Sequence, residues 1–145
     1  MSDSYLFDTE AIISFLYNEP GHERINTLLS HVAASDTEGY LAETNASEVY
    51  YLIARFEGPD DQPTTSSLRT ADRDIRTLTR NGVTLARADW QLAGEVKADR
   101  QISLADAHAV ALASERDATL VVGAGDDFDS LPVTVDIERF RTDSV

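Results

Sequence analysis

Cysteine is absent from the 145-residue chain, which excludes a disulfide framework and a thiolate zinc site. Lysine is nearly absent: of 12 basic residues only Lys97 is a lysine, and the others are arginines. No apolar run approaches the roughly 18 residues that cross a bilayer. The first residues, Met1-Ser2-Asp3-Ser4, are acidic and run at once into a short apolar stretch, unlike the basic start of a secretion leader. The chain also lacks internal repeats and low-complexity tracts. These absences lead us to expect a soluble cytoplasmic protein with no membrane contact.

What is abundant is negative charge. Twelve basic residues against 26 acidic ones leave a net charge of −14. Two explanations compete. A salt-rich cytoplasm would screen the self-repulsion of such a surface, a halophile-like composition; or the acidity serves a basic partner. On either view the mean field opposes non-specific binding to nucleic acid. Any activity on nucleic acid therefore needs a local device, such as bound cations. Hydrophobic residues make up 42% of the chain, which argues against disorder. The length fits a single domain, residues 1–145, with one respectable core.

Residues Tyr5–Phe7 read as a short buried strand ending at Asp8-Thr9. Ala11, Ile12, Phe15 and Leu16 then share one helical face, and Pro20-Gly21 stops that helix. His22–Ala34 reads as a second amphipathic helix and Gly39–Ala42 as a brief strand. Asn45-Ala46-Ser47-Glu48 looks like a capping box opening a helix to about Phe56. Gly58–Ser67 is the one linker-like stretch, and a helix over Leu68–Arg80 follows. Its apolar side carries Leu68, Ala71, Ile75 and Leu78; its opposite side carries Arg69, Arg73, Arg76 and Arg80, read as a solvated face. Val83–Ala86 is a strand, Asp89 caps a helix to about Arg100, and Ser103 opens another to about Glu115. Thr119–Val122 is the clearest strand, Gly123–Phe128 a turn, and Val133–Val135 a final short strand. Trp90 reads as a core residue and His108 as structural or exposed. Strands alternating with helices predict an α/β fold, a three-layer α/β/α sandwich around a mostly parallel sheet.

In such sheets ligands collect outside the carboxyl ends of the strands. Asp8 follows the first strand, Glu48 lies early in the helix after the second, Asp106 in the first turn of the Ser103 helix, and Asp126 and Asp127 follow Thr119–Val122. Each has a plain structural reading as a helix cap, a dipole partner or a turn former. Their equivalent topological positions favour a shared site. Crowded carboxylates repel one another unless a cation intervenes, and hard oxygen ligands suit Mg²⁺ or Mn²⁺.

Asp8-Thr9 after an apolar strand, Asn-Ala-Ser-Glu48-Val, Ser-Leu-Ala-Asp106-Ala and Leu-Val-Val-x-x-x-Asp-Asp-Phe resemble the four acidic blocks of PIN-domain ribonucleases, and among these the VapC-type toxins of toxin–antitoxin pairs. The resemblance runs from Tyr5 to about Phe140. It implies a metal-dependent endoribonuclease that cleaves single-stranded RNA to a 5′-phosphate and a 3′-hydroxyl. It also implies a homodimer neutralised by a cognate antitoxin protein. On this reading Asp8, Glu48, Asp106 and Asp126 are catalytic. Asp8, Asp106, Asp126 and Asp127 hold Mg²⁺ or Mn²⁺, and Thr9 orients Asp8 or a water. The family often has Thr or Ser, a variable residue and Asp before the Asp-Phe pair; here Gly123, Ala124 and Gly125 stand there. That leaves open whether Asp126 or Asp127 is the fourth acid. It also leaves open an inactive PIN-like scaffold that binds a protein partner. A receiver domain fits less well, because Lys97 lies mid-helix. A dinucleotide site at Gly123-x-Gly125 lacks its third glycine.

Overall fold

The computed structural model describes residues 3–125 and 127–141. Five strands form one sheet: β1 (Ser4–Phe7), β2 (Glu38–Ala42), β3 (Val83–Ala86), β4 (Thr119–Val122) and β5 (Ile137–Arg139). The spatial order is β3-β2-β1-β4-β5, and every pairing is parallel. Tyr5 of the central strand lies opposite Gly39 on one side and Thr119 on the other. Between the strands run α1 (Thr9–Leu16), α2 (His22–Ala33), α3 (Glu43–Phe56), α4 (Thr65–Arg80), α5 (Trp90–Asp99) and α6 (Leu104–Arg116). A single 3₁₀ turn spans Pro59–Asp61.

Both sheet faces are covered, which is why β4 beside the central strand is almost continuously apolar instead of alternating. Successive side chains still point to opposite faces. Phe7, Leu41, Val83 and Val121 pack with α1 to α4, while Leu6, Ala42, Ala86, Leu120 and Val122 pack with α5 and α6. The chain winds outward from β1 to β3, then returns to place β4 on the other side of β1. Right-handed crossovers put helices on opposite faces for these two directions. Alanines at 105, 107, 109, 111 and 113 are buried; their small side chains let α6 lie close across β1, β2 and β4.

Several sequence expectations shift. The last strand is Ile137–Arg139, not Val133–Val135. Val133 and Val135 pack half-buried against the α5/α6 layer, which produces a period of two without a strand partner. Helix α3 begins at Glu43, not at Asn45. Asn45 is fully buried and donates to Thr9 Oγ1 at 3.0 Å, so the capping-box reading of Asn45 and Glu48 is wrong. A capping box does open α4, where Thr64 and Ser67 exchange side-chain-to-backbone bonds of 3.0 and 2.8 Å. Trp90, expected in the core, is 78% exposed at the first position of α5. Arg69, Arg73, Arg76 and Arg80 are exposed as expected. Among the described residues no helix is long and apolar enough to cross a membrane.

Candidate active site

The outward and returning halves of the sheet part between β1 and β4. In open parallel sheets this switch point leaves a crevice at the carboxyl ends of the strands. Asp8 sits at that point. Its backbone N–H donates to Val121 O of β4 at 3.2 Å, and its Oδ1 accepts from Ala11 N at 2.7 Å, capping α1. The helix-cap reading and the crevice position are both correct for this residue. Thr9 beside it is buried and receives the Asn45 bond. Asn45 Oδ1 is buried without a partner among the described residues.

A cleft of about 460 Å³ opens over this point. Asp8, Thr9, Glu48, Asp106 and Asp127 all line it. Glu48 comes from the second turn of α3 and not from its first turn. Asp106 comes from the first turn of α6, where Ser103 Oγ accepts from its backbone N–H at 3.0 Å. Asp127 comes from the turn after β4. Asp126 lies outside the described residues.

The acids feel one another. Asp8 is only 3% exposed. Burial, above all, pushes its carboxyl up to about 8; the Ala11 N–H opposes the shift, Asp106 and Glu48 add to it, and Arg141 opposes it. Asp106 is pushed up to about 6, first by burial, against the Ser103 hydrogen bond and with help from Glu48 and Asp127. Both carboxyls therefore hold protons at a pH where an isolated aspartate has lost them.

The donor set fits a hard divalent cation: oxygen ligands only, mutually repelling, with Asp8 shielded from water. No group of three or more acidic or histidine side chains among the described residues is close enough to enclose an ion directly. The described residues therefore do not form an enclosing cage. Mg²⁺ does not need one, since it commonly keeps several waters and takes one or two carboxylates plus substrate phosphate.

Two polar residues, one in the cleft and one holding it, escaped the sequence reading. Glu10 lines it two residues after Asp8, and its partner Arg141 lies 131 positions away. The Asp-Thr-Glu run contained a weak signal for Glu10; nothing local marked Arg141.

The PIN domain model matches residues 5–133. No curated protein matches the chain. Among solved structures, VapBC2 from Rickettsia felis, bound to a promoter DNA fragment, is similar at 14% identity and a TM-score of 0.71, covering 97% of this chain and 99% of that one. DNA-bound VapBC from Salmonella typhimurium is similar at 15% identity and 0.66, covering 97% and 99%. VapC20 from Mycobacterium tuberculosis, a sarcin–ricin loop cleaving toxin, is similar at 17% identity and 0.55, covering 87% and 90%. With the parallel order β3-β2-β1-β4-β5, acids gathered at its switch point and a family match over most of its length, the chain belongs to the PIN-domain family.

Proposed function

We propose that the chain is a Mg²⁺- or Mn²⁺-dependent endoribonuclease, a VapC-like toxin acting in the cytoplasm. The observation that supports this best is positional. Asp8, Glu48 and Asp106 come from three separated segments, Asp127 comes from a fourth, and all face one cleft at the sheet's switch point. A bound divalent cation would neutralise charge on the scissile phosphate and lower the pKa of an attacking water.

The chain's own groups do the rest. Asp8 and Asp106, which line the cleft, would hold the ion together with Asp126 or Asp127, which follow β4 in the sequence. Glu48, half-buried on α3 and lining the cleft, would accept the water's proton. Thr9 keeps Asp8 in register through the Asn45 bond that ties α1 to α3. The Ala11 N–H fixes one oxygen of Asp8 and leaves the other for the cation. In a molecule of net charge −14, the cation is also what lets an RNA phosphate approach four carboxylates.

The VapBC neighbours support a cognate antitoxin protein as partner, and we extend the reading to a homodimer. The test is cleavage of single-stranded RNA by purified protein with Mg²⁺ or with EDTA. Activity should need the metal. Asp8→Asn should lower it by at least a hundredfold while leaving the circular dichroism spectrum unchanged. Undiminished cleavage by that variant would remove Asp8 from the mechanism.

A further inference from the structure

Glu10 stands in the first turn of α1 and lines the cleft with Asp8. Its carboxylate is held from two sides. On one side Oε1 accepts from Nη2 of Arg141. The Arg141 side chain is 6% exposed and also donates from Nη1 to Ser14 Oγ at 3.0 Å and to Pro20 O at 3.3 Å, with Glu19 at 3.8 Å. A buried guanidinium persists only with that many acceptors around it. The chain beyond β5 is thereby fastened to the start of α1.

On the other side the carboxylate lies over Gly123, the first residue after β4. A Cβ at position 123 would fall 2.5 Å from Glu10 Cδ and 2.5 and 2.6 Å from its two oxygens. Any side chain at position 123 would have to displace the Glu10 carboxylate from the place it now occupies. Arg139 Nη1 fixes the same spot by donating to Gly123 O at 3.2 Å. Glu10 Oε2 has no hydrogen-bond partner among the described residues, and the side chain remains 42% exposed toward the cleft. A carboxylate bound by arginine through one oxygen can still ligate through the other.

We propose that Glu10 is a member of the cation site: Arg141 braces its carboxylate in the room Gly123 leaves, and its second oxygen supplies the ligand on the β4 wall. Position 123 has no side chain to offer there, so a residue of α1 reaches across and replaces it. Arg141 is then a positioning residue, acting through Glu10. This inference rests on the cation-site reading of the cleft.

The test is calorimetric titration of the metal-free full chain with Mn²⁺, with thermal melting in EDTA alongside. Glu10→Gln keeps an acceptor for Arg141, so it should melt close to wild type and bind Mn²⁺ at least tenfold more weakly. Gly123→Ala puts a methyl group where the carboxylate sits, so it should weaken Mn²⁺ binding and lower the melting temperature. In a Glu10→Ala background, which itself costs stability by stripping Arg141 of an acceptor, Gly123→Ala should no longer lower the melting temperature and Mn²⁺ affinity should stay low, which separates packing from ligation. Wild-type Mn²⁺ affinity in both Glu10→Gln and Gly123→Ala, with affinity lost in Asp8→Asn, would overturn the proposal and leave Glu10 as an ion-pair partner only. Affinity retained in Asp8→Asn as well would instead overturn the cation site itself.

Discussion

Asp8 caps α1 with the oxygen that accepts from Ala11 N, yet burial and the neighbouring Asp106 and Glu48 push its carboxyl up to about 8. The consequence for stability has a definite sign. An unfolded aspartate releases its proton near pH 4, whereas the folded chain keeps it up to about pH 8. The folded state therefore binds more protons than the unfolded state between these values. The stabilisation is complete below about pH 4 and is lost as pH rises through 8, by at most about 1.4 kcal/mol per pH unit. Asn at this position can still cap the helix and carries no charge. Urea melts in EDTA should thus show wild-type stability falling from pH 5 to 8, and Asp8→Asn should flatten that slope and be the more stable protein at pH 8. Parallel slopes in the two proteins would contradict the assigned environment of Asp8. Residues of this kind were legible in the sequence, because an acid directly after an apolar strand has few places to go in a parallel sheet. Glu10 was not, since its meaning depends on Gly123 and Arg141, and no local pattern joins residues so distant.

At the level of elements, intrinsic preference succeeded where it agreed with pairing and failed where tertiary contacts overrode it. Thr119–Val122 is β-branched or leucine throughout, and it forms β4 between β1 and β5. Val133-Thr134-Val135 has equal β preference but no edge to pair with; Ile137–Arg139 takes the edge, reinforced by Arg24 of α2 holding Glu138 through bonds of 2.7 and 2.9 Å. Asn45 resembled a cap because asparagine favours helix starts, but its fully buried amide is spent on Thr9. The linker-like Gly58–Ser67 held a helix start three residues earlier than the apolar pattern showed, set by Thr64 and Ser67. Thr64→Ala removes the acceptor for Ser67 N and is expected to cost about 1 kcal/mol of stability, read as a lower urea midpoint with an unchanged m-value. No change in midpoint would show that the cap adds nothing to α4.

For the whole molecule the governing quantity is the charge of −14. The parallel fold was legible because alternating strand and helix patterns leave few topologies. The charge explains something the fold does not: why arginines so few are nearly all paired or turned outward. Arg24, Arg87 and Arg139 join Glu138, Glu43 and Asp129, while the Arg69, Arg73, Arg76 and Arg80 face of α4 points to solvent. At 1 M salt the screening length falls to roughly 3 Å, which removes most of the remaining repulsion. The melting temperature is therefore expected to rise steadily from 0.1 to 2 M KCl; a flat or falling curve would remove self-repulsion as a factor and leave the acidity to a basic partner.

The claim on which the functional reading rests is that one cleft, at the switch point between β1 and β4, takes a divalent cation. It is tested most directly by crystals soaked in Mn²⁺ and measured at the manganese absorption edge. The expected result is an anomalous peak within ligand distance of Asp8 and Asp106, abolished in Asp8→Asn. An empty cleft at millimolar Mn²⁺, or a peak held by acids elsewhere on the surface, would contradict it.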